Sequence, residues 1–75
     1  MNGPFVRRQA RHFAERVARE AGDDPAARVA LAYRLAFGRE PTVVEKERAV
    51  GHVRENGVES LCWVLLNASE FLYIR

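Results

Sequence analysis

Residues 32–45 read AYRLAFGREPTVVE, and the reading of that stretch decides the fold class. A helical apolar pattern runs up to Phe37 and meets Gly38, the residue type that most readily takes the left-handed conformation closing a helix. Thr42 then stands three residues before Glu45. This is capping-box spacing, in which each side chain satisfies a free backbone amide at a helix start. One helix stops and another begins within a few residues, so the chain turns a corner here between two helices.

Working backward, Asp24 is a good N-cap and Pro25 a good first residue, which predicts a helix over 25–37. Its face Val29, Ala32, Tyr33 and Ala36 is apolar, and Leu31 and Leu35 lie on other sides. Only Arg28 and Arg34 remain as clear polar positions, the pattern of a central helix. Further back, Asn2 or Gly3 caps a helix over 4–21 that starts on Pro4 and stops at Gly22. Val6, Ala10, Phe13, Val17 and Ala21 form its inner stripe, and Arg8, Arg11, His12, Glu15 and Arg19 point the opposite way.

Working forward, the helix capped by Thr42 is expected over 43–55, with Val43, Val50 and Val53 on its inner face and the Lys46 stem beside them. Gly57 separates it from a fourth helix over 58–67, which buries Leu61, Cys62 and Leu65. Two continuations fit the end of that helix. It either runs on and places Leu72 on the same stripe, or it breaks at Asn67 with a last turn to 73, since Asn67 and Glu70 also have capping-box spacing. β-branched residues never alternate over a strand's length. The expected fold is all-α, a compact bundle of four short helices.

Seventy-five residues make one domain, in which only about 60% of the unfolded surface becomes buried, so every apolar face matters. A hydrophobic share of 48% and a charged share of 29% are ordinary for a folded globular chain and argue against disorder. Twelve basic and ten acidic residues leave a net charge of +2. No apolar run approaches a membrane span, and the basic start of the chain lacks the apolar stretch of a signal peptide. The closing run LLNASEFLYIR is apolar where chain ends are usually polar, so the chain is expected to be the C-terminal piece of a longer polypeptide.

Few residues carry chemistry. His12 and His52 have no second ligand at metal spacing on their own helices and read as solvated surface histidines, so no metal or cofactor is expected. Cys62, between Leu61 and Trp63 with no base within a turn, reads as a core thiol and not a nucleophile. Arg7, Arg8, Arg11, Arg16 and Arg19 make the first helix basic, but Glu15 and Glu20 interleave with them. The third helix offers a nearly neutral set, Glu45, Glu47, Arg48 and Arg54, which argues against DNA binding.

Three segments, NGPFVRRQARHFAERV, AYRLAFGREPTVVE and LCWVLLNASEFLYIR, together resemble the C-terminal module of the large planctomycete cytochrome-c-associated surface proteins, a domain of unknown function. The resemblance rests most on Gly38, Arg39, Pro41 and Thr42, and on Leu66, Asn67, Glu70, Phe71, Leu72 and Tyr73. It implies a module of a long extracytoplasmic polypeptide that also carries other domains, with no catalytic residue to carry over. Trp63 departs from the polar residue expected at its position.

The leading expectation is a non-enzymatic structural or interaction module, docking on other domains of its own polypeptide or on another protein. The candidate patch is Trp63, Val64 and Phe71 on one side of the last helix, with Phe5 off the core stripe of the first. Two alternatives differ in kind. The module completes an active site built by upstream domains, through Arg34, Arg39 or Glu70, or it binds nucleic acid.

Overall fold

The computed structural model describes residues 3–68. They form four helices, α1 Pro4–Ala21, α2 Pro25–Phe37, α3 Val43–Asn56 and α4 Val58–Ala68, and no strand. The all-α bundle of four short helices read from the sequence is therefore the observed architecture, with α3 and α4 each one residue longer than expected.

Each boundary follows from its capping chemistry. Gly3 is the N-cap of α1 and supplies no side-chain hydrogen bond, whereas Asp24 Oδ2 accepts from the Ala27 amide at 3.2 Å to start α2. Gly38 closes α2 at φ 72° and ψ 21°, the left-handed region that costs any residue with a Cβ. The capping box of α3 is complete: the Glu45 amide donates to Thr42 Oγ1 at 3.1 Å, and the Thr42 amide donates to Glu45 Oε1 at 2.9 Å. Gly57 alone joins α3 to α4, at φ 90°, so the two helices meet at a one-residue corner.

α4 continues through Asn67, whose side-chain amide donates back to the Trp63 carbonyl at 2.9 Å. This is a bond within the helix, from a side chain to the carbonyl one turn earlier. The expected last turn to 73, with Glu70, Phe71 and Leu72, lies outside the described residues.

α2 and α4 are the central elements, each touching the other three helices, while α1 and α3 do not touch one another. The most extensive contact joins α1 to α4. The core is built from Ala10, Phe13, Ala14 and Val17 of α1, Val29, Ala32, Tyr33 and Ala36 of α2, Ala49 and Val53 of α3, and Leu61, Cys62, Leu65 and Leu66 of α4. Leu31 and Leu35, off the main face of α2, are half-buried against this cluster, as a central helix requires.

One register expectation fails. Val43 is 76% exposed and does not line the inner face of α3. At about 100° per residue it falls about 80° around the helix from Val53 and about 120° from Ala49, the residues that do point inward. Val50, about 60° around the helix from Val53 on the side away from Ala49, is partly buried on the shoulder of the stripe.

Candidate interaction surface

The four residues of the expected patch have different surroundings. Phe5 is 63% exposed in the first turn of α1, and Val64 is 43% exposed on α4. Trp63 is half-buried and packs against the core, so it is a supporting residue of the bundle more than an open contact. No aromatic pair joins it to Phe5. Phe71 lies outside the described residues. Two exposed apolar residues were not foreseen: Val43 and its neighbour Val44, 55% exposed, at the start of α3. Their signal was the doubled valine directly after an N-cap, where one helical turn cannot bury both side chains.

Trp63 also lines an open cleft of about 430 Å³ between α1 and the α3–α4 corner, together with Arg7, Ala10, Asn56, Glu59 and Ser60. Its indole Nε1–H is buried and has no hydrogen-bond partner among the described residues, an arrangement that costs on the order of 1–3 kcal/mol. The cleft mixes one cation and one anion with an apolar wall, and no single segment signals it, because its residues come from three helices.

Beside the cleft, His52 is not the solvated histidine expected. It is partly buried, with Nε2 2.9 Å from Ser60 Oγ, and this bond ties α3 to α4 across the Gly57 corner. Cys62 is fully buried, and burial, with a smaller contribution from the Glu59 charge, pushes its thiol up to about 12. It is an inert core residue.

Arg34 and Arg39, the residues proposed to complete an active site, are engaged locally. Arg34 Nε stands 3.6 Å from Glu40, on the surface. Arg39 grips both carboxylate oxygens of Glu45, at 2.8 and 2.9 Å, and donates to the Glu40 carbonyl at 3.0 Å. Its guanidinium also lies 5.5 Å from the Phe37 ring centre and 5.8 Å from that of Tyr33, stacking over the end of α2. The bidentate bond from Arg39, followed by the backbone bond from Thr42, lowers the Glu45 carboxyl to about 2. Tyr33 moves the other way, raised first by burial and then by the Glu45 charge. The GREPT segment is thus a corner clamp: Arg39 holds the capping residue of α3 against the aromatic end of α2. Glu70 lies outside the described residues.

Among the described residues no three His, Cys, Asp or Glu side chains converge as a metal site, and no helix is long and apolar enough to cross a membrane. No family model, curated protein or solved structure matches the chain.

Proposed function

We propose that this chain is a non-enzymatic helical interaction module of a large extracytoplasmic multidomain protein, docking against other domains of that polypeptide or against another protein. The observation that carries the reading is the set of large apolar side chains left in water, Phe5, Val43, Val44 and Val64, on a domain too small to spare them from its core. The extracytoplasmic setting is supported by the resemblance to surface-protein modules alone.

The reading is tested by cross-linking or pull-down of the module against the remainder of its parent protein, comparing the natural chain with Phe5→Ser and Val64→Ser. Both positions are exposed, so the variants should fold, as helical circular dichroism will check. Weaker association in either variant is the expected result. Unchanged association in both refutes docking through these residues.

A further inference from the structure

The charge of this protein is segregated. On α1, five arginines stand against two glutamates, a net +3, while the remaining seven basic and eight acidic residues of the chain leave −1. The three arginines of α2 and the α2–α3 corner are matched: Arg28 pairs with Asp23, Arg34 with Glu40 and Arg39 with Glu45. On α3, Lys46, Arg48 and Arg54 have no ion pair among the described residues, but Glu47 and Glu55 are interleaved with them on the same helix. On α1 only Arg16 has an acidic partner, Glu20, so Arg7, Arg8, Arg11 and Arg19 are without ion pairs among the described residues.

The imbalance is sharpest in the first half of the helix. Residues 4–14 hold Arg7, Arg8, Arg11 and His12 and no acid at all. Arg7 and Arg8 lie close to the positive end of the helix dipole, and Gly3 offers no capping side chain to offset it. At about 100° per residue, Arg7, Arg8 and Arg11 share an arc of about 100°, and exposed Phe5 adjoins Arg8 one turn earlier. Three exposed arginines without ion pairs, beside one exposed aromatic ring, form a compact basic surface, and the nearest acids are Glu59 across the cleft from Arg7 and Glu15 one turn beyond Arg11.

We propose that this first half of α1 seats an acidic polypeptide segment of the docking partner, with carboxylates on Arg7, Arg8 and Arg11 and an apolar side chain on Phe5. The proposal rests on the docking reading above and names the partner's chemistry. Guanidinium forks match carboxylates two bonds at a time, which suits a short segment. A nucleic acid fits poorly, because the three arginines span only about 6 Å of helix axis. A longer anionic polymer would run from them toward Glu15 and Glu20.

The test titrates the protein with a short labelled Glu/Leu peptide, with duplex DNA and with phosphatidylserine vesicles, at low and raised sodium chloride. The natural chain is compared with the double variant Arg8→Glu, Arg11→Glu. Peptide binding that weakens with salt and falls about tenfold or more in the double variant is expected. Should that variant lose helical circular dichroism, Arg8→Gln, Arg11→Gln takes its place. Peptide binding that is absent at low salt or indifferent to the substitutions overturns the proposal, as does tighter binding of DNA or vesicles. If Phe5→Ser and Val64→Ser weaken association with the parent protein while the arginine variants do not, the acidic-partner proposal falls and the docking reading stands.

Discussion

Deleting the same two carbons at two positions of α3 gives the most direct check on how that helix sits. Val53 is 9% exposed and Val43 is 76% exposed. Converting Val53 to alanine removes about 1.5 kcal/mol of transfer free energy, at about 0.8 kcal/mol per buried carbon. The space left behind raises the expected loss to about 2 kcal/mol. At Val43 only about a quarter of that transfer term applies, and the better helix propensity of alanine offsets it, so the net change is close to zero. In a domain of this size about 1 kcal/mol moves the melting midpoint by about 4–8 °C. Val53→Ala should therefore melt about 8–16 °C below the natural protein, and Val43→Ala within a few degrees of it. The assay is thermal unfolding followed by circular dichroism at the helical band, with urea unfolding as a second measure. Equal losses at the two positions, or a larger loss at Val43, would show that α3 is rotated from the orientation described and would refute the reasoning.

Two further outcomes follow from the titrating groups. Glu45 ionises at about 2 in the folded protein, against an ordinary 4.5, so its clamp stabilises the fold above about pH 4.5 and is lost as pH falls toward 2. Urea midpoints measured across that window should fall more steeply for the natural chain than for Glu45→Gln, and parallel curves would discount the clamp. Cys62, with its thiol near 12 and no exposed surface, should resist a thiol reagent at pH 8 until denaturant unfolds the chain. Prompt reaction of the native protein would contradict its burial.

Much of the fold was legible because helix ends are governed by local chemistry. Asp24, Gly38, Thr42 with Glu45, and Gly57 act within a few residues of themselves, and each marks the boundary expected of it. Most of the inner stripes of α1 and α4 was legible because apolar spacing on a single helix reports its buried face: Ala10, Phe13, Val17, Leu61, Cys62 and Leu65 are buried, whereas Val6 and Ala21 lie at the margin and Ala14 and Leu66 widen the buried face. α3 was harder: Val43, Val50 and Val53 share one arc by spacing, yet Ala49 and Val53 are the residues that face the core and Val43 stands in water. The surface was least legible. The turn of His52 toward Ser60 and the cleft around Trp63 depend on where α4 lies beside α3 and α1. Nothing within one helix encodes that placement. Arg39 is intermediate: its spacing to Glu45 is local, but its seat over Tyr33 and Phe37 appears only once the corner is folded.

The extensive packing of α1 on α4 has a consequence for the order of events during synthesis. The ribosome makes the first helix of the bundle long before its main partner. Through the time needed for α2 and α3, a few seconds at ordinary elongation rates, the stripe of Ala10, Phe13, Ala14 and Val17 has no Leu61, Leu65 or Leu66 to close on. The nascent chain must therefore hold a sticky amphipathic helix in waiting, and the core is completed only when α4 emerges. A stalled or prematurely terminated product would leave that helix covered by α2 alone, which makes such fragments natural clients of chaperones and proteases.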